Sequence, residues 1–434
     1  MTTPAPSSSA PSTGPIPVAS APAAVPVAAA PAATVPGATV PTALATTVPA
    51  DSLHLPDLWG FEPGSTYLNH GAFGAVPLVV RAEQRGWQDR FDANPMGYYR
   101  RGVATDLDRA RLVMARFLGS DDEGVAFTRN ATTGVATVLA SLTFRPGDRI
   151  LVTDHVYGAV LSNVQFVARR AGAAIDVVHV PLEAEGADVV AAIMAGVTEN
   201  TRLAIIDEIA SATAKLFPVA EIGQALRERG VRFLVDAAHS PGAIPVNLNA
   251  IGVDYWTGNL HKWAGAPRGT AGLYVAPELR GELESFPVSW RVSEGFPHAF
   301  NNVGTVDQTG WLSAPAGLRF YEEFGWEAVR ARNNALARRG QQLIAEEIGA
   351  SLEGMPGEGA ADGGYPLPMR LIPLAGVPAD EAACNAFTDR LAVEHAIEVP
   401  VQAWNGQTLL RVSAQLYNSE ADYERLAQTL KQVL

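Results

Sequence analysis

The chain has 434 residues, 47% of them hydrophobic, enough for a large core divided among two or three domains. A formal net charge of −13 argues against a general affinity for nucleic acid or anionic membrane, because both attract basic surfaces. A single cysteine, Cys384, excludes an intramolecular disulfide framework and a Cys-rich metal cluster, and the eight histidines form no HExxH or similarly spaced pair, so no metal site is expected.

Residues 1–52 are mostly Ala, Pro, Val, Thr and Ser, and the first charged side chain is Asp51. Pro17, Pro22, Pro26 and Pro31 interrupt any helix, which predicts a disordered extension leaning toward polyproline II. The stretch lacks the basic start and unbroken apolar run of a secretory signal, and no apolar run elsewhere reaches the roughly 18–20 residues that span a bilayer, so the expected location is cytoplasmic. Residues 53–75 precede the first regular alternation. Within about 76–310, Val125–Thr128, Arg149–Thr153, Ile175–Val180, Leu203–Ile206 and Val231–Val235 read as strands. Between them lie helical stretches from Ala131, over Ala159–Arg170 and over Val219–Arg229. This βαβ alternation predicts a mainly parallel sheet covered by helices on both faces, with its chemistry at the carboxyl ends of the strands. Asp154 to Tyr157, Asp207-Glu208 and Asp236 to His239 fall there. Beyond about residue 310 the texture changes. Ala314–Ile348 reads as one long or broken helix, Pro368–Leu374 and Thr408–Val412 as strands, Asp380–His395 as a helix, and Ser419–Leu434 as an amphipathic helix with an N-cap serine. Residues 311–434 are therefore expected to form a smaller α+β domain.

The most informative stretch is Leu234–Gly242 followed by Tyr255–Trp263. Alone, Asp236 is as well explained by a helix cap or an ion pair, and Lys262 by a solvated surface lysine. The pairing changes the odds. A lysine amine condenses with an aldehyde cofactor when desolvation or nearby cations leave a neutral fraction, and His261 and Trp263 flank Lys262 as in an enclosed site. A carboxylate against the ring nitrogen of such a cofactor completes an electron sink.

These ordered motifs resemble the aminotransferase class V family of fold-type I pyridoxal 5'-phosphate (PLP) enzymes, over roughly residues 60 to 430. The resemblance implies an α/β fold: a large PLP-binding domain (76–310) with a mainly parallel seven-stranded sheet, a small C-terminal domain (311–434), an N-terminal arm over the active site (53–75) and a homodimer. It implies Lys262 as the Schiff-base lysine, Asp236 on the ring nitrogen, His239 on the phenolic oxygen, and Asn259 and His261 near the phosphate. It places Ala131, Thr132 and Thr133 in the phosphate cradle. A strand running into Asn130-Ala-Thr-Thr-Gly134 at a helix start suits an anion independently, although an ordinary N-cap explains the same residues. Tyr157 is the candidate for stacking on the ring and for acid–base work, with His155 as the alternative. Arg411 matches an arginine that clamps a substrate carboxylate, for which the guanidinium fork is suited. Thr305 matches a loop residue reaching the partner's phosphate, and Asn69 and His70 are candidate substrate contacts on the arm.

Cysteine desulfurases of this group carry a loop cysteine ahead of the arginine. Residues 396–406 contain none, and Cys384 reads as a packed small hydrophobe. The implied reaction is bond cleavage at the α-carbon of an amino acid. Removal and return of the α-proton, as in isopenicillin N epimerase-like proteins, is the first reading. A C–S lyase of a cysteine conjugate, an aminotransferase and a catalytically inert binding protein are the alternatives.

Overall fold

The computed structural model describes residues 53–357 and 366–434; the extension expected over residues 1–52 lies outside them. The chain opens with β1 (Thr66–Tyr67), α1 (His70–Phe73), α2 (Leu78–Ala93), α3 (Pro95–Arg101) and α4 (Val103–Phe117). The alternating core follows: β2 (Val125–Thr128), α5 (Ala131–Ser141), β3 (Arg149–Thr153), α6 (Gly158–Ala171), β4 (Ala174–Val178), α7 (Gly186–Ala195), β5 (Thr201–Asp207), α8 (Val219–Glu228), β6 (Arg232–Asp236), α9 (Leu248–Ile251), β7 (Tyr255–Asn259) and β8 (Ala271–Val275). The remainder is α10 (Thr309–Glu322), α11 (Trp326–Ile348), β9 (Met369–Pro373), α12 (Glu381–His395), β10 (Ile397–Glu398), β11 (Val401–Trp404), β12 (Gln407–Ser413) and α13 (Glu420–Val433).

Strands β2 to β8 form one seven-stranded sheet in the order β2-β8-β7-β6-β5-β3-β4. It is parallel except for β8, which pairs antiparallel with both β2 and β7. Its central strands are almost wholly apolar: β5 is buried from Leu203 onward and β6 from Phe233 onward, as strands covered on both faces must be. Both end on a carboxylate, Asp207 and Asp236, which are register partners. Asp236 pairs onward with Thr257 of β7, so three neighbouring strands finish along one edge.

A three-stranded antiparallel sheet, β11-β12-β9, backs onto α11 and α13, which pack on each other. Leu68, Ile344, Ile372, Leu391, Leu410 and Leu430 lie in the hydrophobic cluster beneath it. Residues 53–75 are stitched to this sheet: β1 pairs with β10, and the Ser413 backbone N–H donates to the Leu68 carbonyl at 2.9 Å. Of the long or broken helix expected over Ala314–Ile348, the broken form is present: two helices beginning at Thr309, with Gly325 at φ 77° separating them. Ser419 does cap α13, within a reciprocal pair with Asp422.

Candidate active site

The edge formed by β5, β6 and β7 carries Asp207, Asp236 and Asn259, and Lys262 lies three residues beyond β7. Two close backbone approaches hold the lysine turn in place. Gly242 (φ 91°) lies against the Trp263 backbone, and Gly74 (φ 63°) of the arm lies against His261 and Lys262. A Cβ at either glycine would meet main-chain atoms inside van der Waals contact, so only glycine permits these approaches.

Lys262 is buried, and its Nζ lies 3.0 Å from His239 Nε2. Burial above all, then the Arg411 charge, lowers its pKa to about 7, against the opposing pull of Asp236 and Asp207. Near pH 7 much of this amine is therefore neutral and nucleophilic. Asp236 is also buried. Desolvation raises its pKa to about 6, while a 3.0 Å hydrogen bond from the Ala238 N–H and the Lys262 charge favour its anion. Burial, reinforced by Lys262 and Arg411, pushes the His239 imidazole well below its ordinary range, so it is neutral. Its Nδ1 is buried without a partner, as is Asp207 Oδ2. Buried polar atoms normally find partners, so two bare ones around Lys262 mark where a polar ligand belongs.

At the other end, Asn259 Oδ1 accepts the Ala131 N–H at 2.8 Å and locks the first turn of α5 against β7. Asn130 Oδ1 accepts the Thr133 N–H at 2.8 Å and its hydroxyl at 2.9 Å. The N-cap expected from the sequence is thus present, and it presents the positive end of α5, with Thr132, beside the lysine turn. His261 Nδ1 lies 2.9 Å from the Thr270 carbonyl, and burial lowers its pKa to about 4. Thr305 is exposed, on the loop ahead of α10. That loop borders a cavity of about 320 Å³ through Val306 and Asp307, opposite Arg129 and Arg268. Neither arginine was singled out from the sequence, although Arg129 immediately precedes the N-cap Asn130.

Arg411, in the middle of β12, is buried. Its Nη1 donates to the Ser211 carbonyl and, at 3.3 Å, to the Ser211 hydroxyl, and its Nη2 donates to Asn69 Oδ1 at 3.2 Å. No carboxylate pairs with it among the described residues, and burial lowers its pKa to about 10. An enclosed guanidinium without an acid is a ready anion site.

Two expectations are corrected here. His70 is fully buried, with Nδ1 2.9 Å from the Tyr417 hydroxyl and Nε2 3.1 Å from the Lys262 carbonyl, so it ties the arm to the lysine turn and has no free edge for substrate. His155, the alternative to Tyr157, is buried with Nδ1 2.7 Å from Thr213 Oγ1 and Nε2 2.6 Å from the Val180 carbonyl. Burial lowers its pKa to about 4, so it neither titrates near neutrality nor has a nitrogen to spare. Tyr157 is 46% exposed at the start of α6 and close enough to Arg411 to act on its charge. Asn69, unlike His70, reaches Arg411 directly. Cys384 is buried in α12, its sulfur 3.7 Å from the Pro378 carbonyl. The described residues hold no group of His, Cys, Asp and Glu suited to a metal, and no described helix is long and apolar enough to cross a membrane.

An amine near neutrality, a carboxylate on the adjacent strand end, an acceptor-capable imidazole and a helix N-terminus answer the separate needs of an aldehyde, a pyridine nitrogen, a phenolic oxygen and a phosphate. PLP combines all four, and the scaffold is that of fold-type I PLP enzymes. Comparison with known proteins gives the family. Residues 67–359 match the family model described as Aminotransferase class-V. Isopenicillin N epimerase of Streptomyces clavuligerus is 32% identical over 387 residues, covering 85% of this chain and 95% of that protein. An L-cysteine desulfhydrase of Arabidopsis thaliana is 28% identical over 407 residues, covering 86% of this chain and 88% of its own. Among solved structures, a mutant of C-DES with glycine covalently linked to its PLP cofactor superposes with a TM-score of 0.72 at 23% identity, covering 85% of this chain and 97% of that one. The chain belongs to the class-V aminotransferase family, and it is a PLP-dependent enzyme.

Proposed function

We propose that the protein removes and returns the α-proton of an amino-acid substrate, in the manner of an isopenicillin N epimerase. The observation that carries this is the combination, around one cleft, of a buried near-neutral lysine and a buried arginine without an acid partner. PLP, when bound, supplies the electron sink for the pair left at the α-carbon. Lys262 and Asp236 would hold it by its aldehyde carbon and ring nitrogen, His239 by its phenolic oxygen, and the first turn of α5 with Asn259 and His261 by its phosphate. Arg411, kept in orientation by Asn69 and Ser211, takes the substrate carboxylate with its planar fork. Lys262 Nζ would remove the α-proton as general base. Tyr157, half-exposed and near enough to Arg411 to act on its charge, returns a proton from the other face.

A second reading is a C–S lyase of a cysteine conjugate, supported by the relatedness to an L-cysteine desulfhydrase. Tyr157 would then protonate the departing sulfur. A persulfide-forming thiol is not part of either reading, because Cys384 is packed inside α12. The test is incubation with L-amino acids and cysteine S-conjugates in deuterated water. Deuterium at the α-carbon with loss of chirality supports the epimerase. Pyruvate with a released thiol supports the lyase, and the keto acid of the substrate would reject both for transamination.

We further propose a homodimer. Phe73, Met96, Phe286, Val288 and Trp290 are 67%, 67%, 61%, 59% and 96% exposed, large apolar groups that burial against a second copy would take from water. Thr305, on the exposed loop ahead of α10, would reach the partner's phosphate. Sedimentation equilibrium checks this: Trp290→Glu should shift the protein toward monomer.

A further inference from the structure

The ends of β5 and β6 hold more negative charge than one cofactor nitrogen can use. Asp207 and Asp236 are register partners on adjacent parallel strands, so their side chains leave the same face of the sheet about 5 Å apart at their origins. Both are almost fully enclosed, at 3% and 2% exposure. Two carboxylates this close and this dry do not both ionise, and one retains a proton. The groups facing the pair are Lys262, shared between them, with neutral His239 beside it and Arg411 beyond.

The two carboxyls differ in what they hold. Asp236 accepts the Ala238 N–H on Oδ1 and is the partner for a ring nitrogen. The backbone amides of Asp207 and Tyr157 favour the Asp207 anion only weakly, and its Oδ2 is buried with no partner. A bare anionic oxygen in the interior is strongly disfavoured, whereas the same oxygen protonated is a donor awaiting an acceptor. Burial first, and the Asp236 charge second, push the Asp207 carboxyl well above the usual carboxylate range.

We propose that Asp207 is a positioning residue that carries the proton of this pair, turning its Oδ2–H toward the occupant of the cleft. Asp236 is then left as the single anion for the ring nitrogen. The assignment rests on the PLP reading of the cleft, but its protonation arm is independent of that reading.

Infrared difference spectra of cofactor-free wild type minus Asp207→Asn at pH 7 test the proton. The expected result is the carbonyl stretch of a protonated carboxylic acid; a carboxylate signature in its place overturns the proposal. On the PLP-loaded protein, Asp207→Asn keeps a donor but cannot carry charge, so the pH midpoint of the visible band stays where it is; a displacement of about a pH unit would show a lost anion. Asp207→Ala should weaken PLP binding about tenfold, the loss of one buried hydrogen bond, and reduce the visible circular dichroism of the bound ring. Unchanged affinity and dichroism would end the positioning role. If the alanine variant fails to fold, the asparagine variant decides by both its readouts. A wild type that gains no visible band with PLP refutes the functional reading, and the infrared result still decides where the proton sits.

Discussion

Replacing Arg411 with methionine separates binding from folding. Burial holds the guanidinium pKa down to about 10, well below its ordinary value. Keeping that charge inside the fold therefore costs about 3 kcal/mol. Against this stand its hydrogen bonds to Ser211 and Asn69, each contributing about 1 kcal/mol net. Arg411→Met loses the bonds and the cost together, so the cofactor-free variant should unfold in urea within about 1 kcal/mol of wild type. Substrate is another matter. A carboxylate that pairs with Arg411 recovers the burial cost, so its loss should raise KM about a hundredfold. PLP affinity, read from the visible band at a pH well above 7, should move far less than KM, because Arg411 acts on the lysine only by helping to lower its pKa, and that effect vanishes once Lys262 is neutral. Arg411→Lys should fall between, retaining charge without the fork. An unchanged KM in the methionine variant would refute the clamp, and a fold weakened by several kcal/mol would show that Arg411 is a structural residue.

Lys262→Ala should lose both the visible band and turnover. In wild type the rate of PLP capture should rise as pH passes about 7, where the amine sheds its proton. The sign for stability follows: between about 7 and 10.5 the unfolded chain retains a proton that folded Lys262 has lost, so the cofactor-free protein gains stability as pH rises through that window, and Lys262→Ala flattens the slope. Tyr157→Phe should still exchange the α-proton of substrate into deuterated water while losing inversion by more than tenfold, as expected of one missing general acid; retained inversion would move the second acid elsewhere. His155→Ala should lower stability by about 3 kcal/mol in denaturant, from two buried hydrogen bonds and a vacated core site, with KM changed only severalfold in the protein that folds.

Much of the sheet was legible because its strands are short apolar runs between turn residues, and β2, β3, β5 and β6 are found within a residue or two of where hydrophobicity places them. Neither β7 nor β8 is among the strands expected from the sequence, and β8 shows why. It is equally apolar, but its antiparallel direction is a property of its partners β2 and β7 and leaves no trace in its own five residues. Helices α2 to α4 precede the βαβ alternation, which therefore gives no cue to them. In the site, Lys262 and Asp236 could be paired because both lie in one short stretch. Asp207 has the same sequence signature as Asp236, an apolar strand ending on a carboxylate, and was noted without a role, because only the register of β5 on β6 shows that the two face each other. Asp154 ends a strand in the same way yet serves as a clasp, taking the Asn405 side chain at 2.6 Å and the Val180 N–H at 3.1 Å.

The buried histidines show what separates frame from site. His70 and His155 have both ring nitrogens engaged by the protein. His239 is equally buried, yet spends one nitrogen on Lys262 and leaves the other bare. Around it, Lys262 and Arg411 are charged groups made less favourable by enclosure, and Asp207 ends in an unpartnered oxygen. A fold selected for stability alone would pair or remove these groups. Their concentration around the ends of β5, β6 and β7, with Arg411 reaching Ser211 there from the middle of β12, is unfavourable by itself and becomes favourable with an anionic, planar, hydrogen-bonding occupant. The same strain that marks the cleft therefore supplies the selectivity: a ligand lacking the phosphate, the ring nitrogen or the carboxylate leaves one of these groups uncompensated.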